Sequence, residues 1–122
     1  MFHFQTLDVY KCAIGFLPTA YDLARLVDGE MANQLRRAAL SINLNIAEGT
    51  GRFGKDERKF FITARGSAFE CAALLDAMQQ VGITNSRIPA GYELLHRVVS
   101  MLTKMINKPP TPTLTPTPTQ RT

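Results

Sequence analysis

The chain is predicted to be all-α, an antiparallel up-down-up-down four-helix bundle. Three observations predict this. Apolar residues recur at threes and fours in four separate stretches, glycine or a polar turn bounds each stretch, and no stretch shows the apolar/polar alternation of a strand. With 122 residues there is room for one domain and one core. That domain is expected over residues 4–107, followed by a Pro/Thr-rich disordered tail over residues 108–122.

Helix one is expected from about Thr6 to Val27, with Leu7, Tyr10, Ile14, Leu17, Tyr21 and Ala24 on its apolar face. Thr6 is placed to cap it, Asp8 suits its first turn, and Pro18 should kink or interrupt it. After the turn at Asp28-Gly29, helix two is expected over Met31 to Glu48. It carries two apolar stripes. Leu35, Ala39, Ile42 and Ile46 form one, while Leu40, Leu44 and Ala47 form a second more than a quarter-turn away. One stripe can face the core; the other then needs a different partner.

The run GTGRFG ends helix two, and Lys55 or Asp56 opens helix three, which continues to about Val81. Phe60, Ala64, Ser67, Cys71, Leu74, Met78 and Val81 form its heptad-like seam, flanked by Gly66, Ala68, Ala72, Ala73 and Ala77, which let a neighbour approach closely. Gly82 stops this helix, and Pro89 suits the first turn of helix four. Tyr92, Leu95, Val99, Leu102 and Ile106 give helix four its apolar face, broadened by Leu94, Val98, Met101 and Met105. From Lys108 the composition turns to alternating Pro and Thr, which favours an extended, solvated chain, and a solubilising role is expected over a docking one.

Hydrophobic residues at 45% and charged residues at 20% describe a chain that can fold around a core. A net charge of +4 points toward nucleic acid or another acidic surface as partner. Cys12 and Cys71 sit within apolar helical patterns, as small buried hydrophobes in a reduced environment. The opening MFHFQTLDVY lacks the signature of an export signal, and no segment approaches a membrane span, so a cytoplasmic location away from membranes is expected. His3 and His96 have no neighbours at metal-ligand spacing, so neither a metal nor any cofactor is expected.

Gly49-Thr50-Gly51-Arg52-Phe53-Gly54 matches GxGxxG, and with Lys55 it nearly matches a phosphate loop. Both motifs work only when a strand precedes them, whereas here a helix does, and Asp56 stands where a phosphate loop needs Ser or Thr. The run therefore reads as an interhelical turn. Ser41, Asn45 and Glu48 share one face of helix two, and a polar network with Arg65, Ser67 and Glu70 of helix three is the expected use of that face. Acid-base chemistry would need Glu48 and Glu70 together in a pocket, and no catalytic residue is assigned.

Arg36, Arg37, Arg52, Lys55, Arg58, Lys59 and Arg65 gather in sequence around the turn between helices two and three, half of the 14 Lys and Arg. Such a patch, repeated around an oligomer, would neutralise several phosphates with little sequence preference. A solvated charged turn with local ion pairs fits the same residues equally well.

The segments Gln34-Leu35-Arg36-Arg37-Ala38-Ala39-Leu40-Ser41-Ile42, Asn45-Ile46-Ala47-Glu48-Gly49, Gly51-Arg52 and Ala64-Arg65-Gly66-Ser67 with Glu70 resemble one family, the 23S ribosomal RNA intervening-sequence proteins. The resemblance covers about Phe4 to Asn107 and implies an antiparallel bundle assembling as a ring-like homopentamer. That family is in turn similar to the accessory protein of diversity-generating retroelements, a basic pentamer that binds a reverse transcriptase and nucleic acid. On this chain the resemblance turns the Leu40, Leu44 and Ala47 stripe into the expected subunit interface. Pro18 and the Pro/Thr tail depart from the family pattern. The functional expectation is a non-enzymatic homo-oligomer that binds RNA or ribonucleoprotein through Arg36, Arg37, Arg52, Lys55, Arg58 and Lys59. The alternative is a protein-interaction scaffold for a polymerase-like or reverse-transcriptase partner.

Overall fold

The structure, a computed structural model, describes residues 1–108. The Pro/Thr-rich segment expected beyond Lys108 lies outside the described residues. A short 3-10 turn, His3–Thr6, precedes four helices: α1 Asp8–Ala24, α2 Gly29–Thr50, α3 Gly54–Gln80 and α4 Arg87–Asn107. Among the described residues there is no strand, and no helix is long and apolar enough to cross a membrane.

The helix ends follow local chemistry, with three departures from the sequence expectation. Leu7, in extended conformation, precedes α1 in place of Thr6, because the Thr6 hydroxyl donates instead to the His3 carbonyl within the 3-10 turn, at 2.7 Å. Pro18 lies inside α1 without dividing it; the residue is exposed, so its ring meets solvent rather than a packed neighbour. α2 runs past Gly49 to Thr50, and α3 begins at Gly54, whose φ of 61 is a conformation glycine adopts freely. After α3 the chain reverses through Gly82 at φ 93, while the Ile83 amide donates to Met78 O at 3.0 Å in a Schellman-type closure. The Asn85 side chain then accepts from the Arg87 amide at 2.9 Å, and α4 starts two residues before Pro89.

Contacts between helices fix their directions. Along α3 and α4, Arg58 meets Lys108, Arg65 meets Thr103 and Asp76 meets Tyr92, so partner numbers fall as α3 is followed upward. The same inverse order relates α2 to α3, where Ser41 meets Ser67 and Gly49 lies against Phe61. It also relates α1 to α4, where Asp22 meets Arg87 and Thr19 neighbours Gly91. Each of these three pairs is antiparallel, which leaves α1 antiparallel to α2 as well. α1 packs on α2 and α4, α3 packs on α2 and α4, and the backbones of the diagonal pairs α1/α3 and α2/α4 do not approach one another among the described residues. The result is a square bundle in up-down-up-down order.

Phe16, Leu23, Leu35, Ile42, Ile46, Leu75, Met78, Leu95 and Leu102 fill the centre, each all but sealed from solvent. Burial of side chains this size is worth roughly 1.5–3 kcal/mol each. The expected core stripes are shifted on three helices. On α1 the buried face is Val9, Cys12, Ala13, Phe16, Ala20 and Leu23, while Ile14 and Tyr21 are exposed. On α3 Phe61 and Leu75 are buried where Phe60 and Leu74 were expected, and Val81 is exposed. On α4 Val98 is buried and Val99 only half so. Both alternatives on each helix are apolar, and the core takes the one bisecting its two neighbours. The remaining stripe lies at the margin of the core, partly buried at Tyr10, Leu17, Leu74 and Val99 and exposed at Ile14, Tyr21 and Val81.

Candidate nucleic-acid interface

The turn between α2 and α3 is Gly51, Arg52 and Phe53, and the basic residues on either side of it do different jobs. Arg52 reaches back one helical turn to Glu48, with Nη2 at 2.7 Å from the carboxylate, and its guanidinium lies 5.3 Å from the Phe60 ring centroid. The hydrogen bond to Glu48 and the charge of that carboxylate raise the already high pKa of Arg52. Arg58 donates to the Lys108 carbonyl at 3.1 Å, tying the start of α3 to the end of α4. Lys55 and Lys59, one turn apart on α3, are exposed and make no ion pair among the described residues.

Arg36 and Arg37 stand apart from this group. They precede Gly51 by about fourteen residues of continuous helix, an axial separation of ~20 Å. Arg36 bonds its neighbour Asn33 at 2.5 Å, and Arg37 is exposed on the outer surface. The six basic residues assigned to one surface by sequence proximity therefore divide into a group at the turn, Arg52, Lys55, Arg58 and Lys59, and a pair halfway along the bundle.

The expected polar network forms in part. Ser41 and Ser67 share a hydrogen bond at 2.8 Å between α2 and α3, and Asn45 Nδ2 donates to the Ser41 hydroxyl at 3.0 Å and to its carbonyl at 2.9 Å. Glu48 is engaged by Arg52 instead. Arg65 turns the other way, donating to Thr103 of α4 at 2.8 Å with its guanidinium 4.7 Å from the Phe69 ring centroid. Glu70 is exposed. Gly49 sits level with Phe61 and Ser41 with Ser67, so Glu48 and Glu70 lie about 12–15 Å apart along the bundle axis. The pairing that acid-base chemistry would require is not formed by these two residues.

A mixed polar and apolar hollow of about 330 Å³ lies beside the turn, lined by His3, Arg52, Phe53, Glu57 and Lys108 among others. It gathers the ends of α2 and α4, the start of α3 and the 3-10 turn at one end of the bundle. Sequence spacing gave no sign of it, because His3 and Lys108 are more than a hundred residues from each other. Also unforeseen is the Tyr92 hydroxyl, which donates to Asp76 and accepts from Gln79 Nε2 at 2.7 Å. Burial, then the Asp76 hydrogen bond, pushes the Tyr92 pKa up to about 12. Burial likewise pushes the Cys71 thiol up to about 12, with the Glu70 charge adding to it.

Of the expected interface stripe, Leu40 is 39% and Leu44 59% exposed, and Ala47 is half-buried. None of the three is consumed by the core of the single chain.

Comparison with known proteins places this geometry. No curated protein matches the chain. A protein of unknown function from the S23 ribosomal protein family of Bacteroides thetaiotaomicron, known from its crystal structure, matches with a TM-score of 0.76. The match covers 82% of this chain and 99% of the other at 19% identity, which speaks to the fold alone. The family model described as 23S rRNA-intervening sequence protein matches residues 5–108, nearly the whole of the described bundle. The chain belongs to the 23S rRNA-intervening sequence protein family.

Proposed function

We propose that this protein is a cytoplasmic, non-catalytic homo-oligomer, a pentamer by family resemblance, that binds RNA or ribonucleoprotein through the basic residues at the α2–α3 turn. The observation that carries the reading is the pair Lys55 and Lys59, exposed on one face of α3 and in no ion pair among the described residues. Free ammonium groups on a surface release counterions when they meet phosphate, which drives sequence-tolerant binding. Arg52 adds to the patch at the turn itself, although Glu48 offsets its charge. The family description and the net charge of +4 support the same partner class. Arg36 and Arg37 lie too far from the turn to share its phosphates.

The test is retention of a short structured RNA by the assembled protein at low salt, compared with K55E/K59E. Loss of retention in the variant, with assembly unchanged, supports the site. Equal retention removes it.

A second reading is a scaffold for a protein partner. It is favoured by the engagement of Arg52 by Glu48 and of Arg58 by Lys108, which leaves few free cations at the turn. A host protein that stays bound through nuclease treatment, with no RNA retained at low salt, would support it over the first.

A further inference from the structure

We propose that a single-stranded stretch of RNA lies along the outer face of α3 and α4, its phosphates on Lys55 and Lys59 and an unpaired base stacked on Phe69 in the α3–α4 groove. The inference rests on the reading that the protein binds RNA at the α2–α3 turn. It goes further in naming the strandedness of the RNA and the side chain that selects it.

The track follows from helix period. A step of about 100° per residue puts Lys55, Lys59, Ile62, Gly66 and Phe69 within about 40° of one line on α3, opposite the buried Ala64, Cys71 and Leu75. All five are exposed, Ile62 by 51% and Phe69 by 50%. No neighbouring side chain lies within 4 Å of a Cβ added at Gly66, so the line is open between its basic end and its aromatic end. From Lys55 to Phe69 the helix rises ~21 Å.

Beside this line α3 and α4 form two hollows in succession. Along α4, Tyr92, His96, Val99, Thr103 and Ile106 recur at fours and threes and share the side that borders the track. The bonds from Arg65 to Thr103 and from Tyr92 to Asp76 set the register, which puts Ile62 level with Ile106 and Phe69 level with Val99. The first hollow, about 270 Å³, is lined by Ile62, Arg65, Thr103 and Ile106. The second, about 520 Å³, has Phe69, Tyr92, His96 and Val99 around the small residues Ala68 and Ala72. Pockets for small ligands start at about 300 Å³, so the second hollow has room for a base.

Phe69 is held ready to stack. The Arg65 guanidinium lies 4.7 Å from the Phe69 ring centroid and is itself fixed by Thr103 at 2.8 Å, so one face of the ring is anchored. Half of the side chain is still exposed, which leaves surface for a second flat group. Tyr92, on the same lining, has its hydroxyl committed to Asp76 and Gln79, and its ring is fixed as well. Glu93, His96 and Arg97 supply an acceptor and donors for the edge of a base. Stacking of this kind accepts any base, because every base has a π face.

Charge selects the occupant. Lys55 and Lys59 stand at one end of the track in no ion pair among the described residues, and Arg65 and Arg97 lie farther along it against Glu70 and Glu93. An apolar helix from a protein partner would fill the groove and leave the lysines unused. A single strand uses both, with phosphates for the ammonium groups and a flat base for the ring. A duplex keeps its bases stacked on one another, so it meets the lysines but not Phe69.

The experiment is titration of the full chain with a short oligoribonucleotide, single-stranded or as a blunt duplex, for wild type, F69L, F69W and K55E/K59E. Anisotropy of a terminal dye reads affinity, and 2-aminopurine placed at each position in turn reads stacking. Leucine keeps the apolar bulk of Phe69 and removes the ring; circular dichroism and light scattering compare the helices and mass of each variant with wild type. Wild type should favour the single strand and quench 2-aminopurine at one position or more. F69L should lose roughly 5- to 150-fold in single-strand affinity and none for the duplex, and F69W should restore it. The salt dependence of F69L should match wild type, while that of K55E/K59E flattens. Single-strand binding by F69L equal to wild type, with K55E/K59E impaired, would overturn the base site and leave RNA binding at the turn standing. Bound wild type that quenches 2-aminopurine at no position would overturn the stacking without recourse to any variant. An F69L protein of lower mass than wild type would assign the groove to a contact between copies and overturn it as a base site. Wild type that retains neither strand form at low salt would overturn the RNA reading itself, and this inference with it.

Discussion

Gly49 of α2 lies so close to Phe61 of α3 that a Cβ added to it would stand 2.7 Å from Cε1 of the ring. The helix continues through this residue because packing, not helix termination, requires glycine there. The G49A variant should therefore be less stable by about 1–3 kcal/mol, the usual cost of overpacking, despite alanine's better helix propensity. Gly15 is the control. Nothing lies within 4 Å of its added Cβ, and G15A should gain about 0.5–1 kcal/mol. Urea denaturation of the two variants should move the midpoint in opposite directions; a stabilised G49A would mean the α2–α3 spacing is wrong.

Asn43 is 3% exposed, and its Oδ1 finds no hydrogen-bond partner among the described residues, although its Nδ2 donates to Ala39 O at 3.1 Å. An unmet acceptor in an apolar setting costs about 1–3 kcal/mol. Leucine has nearly the same shape, so N43L should unfold at higher denaturant than wild type. A loss of stability in N43L would show that the oxygen has a partner.

Ser41 and Ser67 join the long arms of the bundle through one hydrogen bond, with Asn45 feeding into it. Either serine changed to alanine should cost about 0.5–1.5 kcal/mol, and the double variant should cost less than the sum. Strict additivity in that cycle would remove the bond from the account.

Tyr92 and Cys71 both have folded-state pKa values raised to about 12, from 10.0 and 9.0. Each neutral form is favoured by folding, so its contribution is full below the unfolded value and fades as pH climbs through the folded one. Stability should decline between about pH 9 and 12. In Y92F the portion of that decline above pH 10 should shrink. Cys71, wholly buried, should react with a thiol reagent only at the rate of unfolding, and prompt labelling in native buffer would contradict its placement.

The four helices were legible because apolar periodicity and the Gly29, Gly54 and Gly82 turns are local signals. Which apolar stripe faces inward was not. Ile14 and Phe16 on α1, or Leu74 and Leu75 on α3, differ only in which neighbours the tertiary arrangement places beside them. A stripe left on the surface obeys the same period as one meant for the core, so Leu40 and Leu44, which form a second stripe on their helix, could be set apart but Ile14 and Tyr21 could not. At the candidate site, sequence proximity grouped Arg36 with Lys55 because it ignores the length of an intervening helix. It missed Arg65 to Thr103 and Tyr92 to Asp76, whose partners are brought together only when α4 folds back along α3.

Replacing Lys55 and Lys59 should act on salt dependence as well as on affinity. Each phosphate contact contributes about 0.7 on a single strand to about 0.9 on a duplex to the slope of log K against log salt, so losing both on a structured RNA should flatten that slope by about 1.4–1.8. A weaker complex with an unchanged slope would indicate that the variant disturbs something other than phosphate contacts.

The most direct test is light scattering coupled to size exclusion on nuclease-treated protein, alone and with a short structured RNA, at low and at physiological salt. The account predicts an assembly of several chains that takes up RNA at low salt and releases it as salt rises. A monomer, or an assembly indifferent to RNA at low salt, would contradict it.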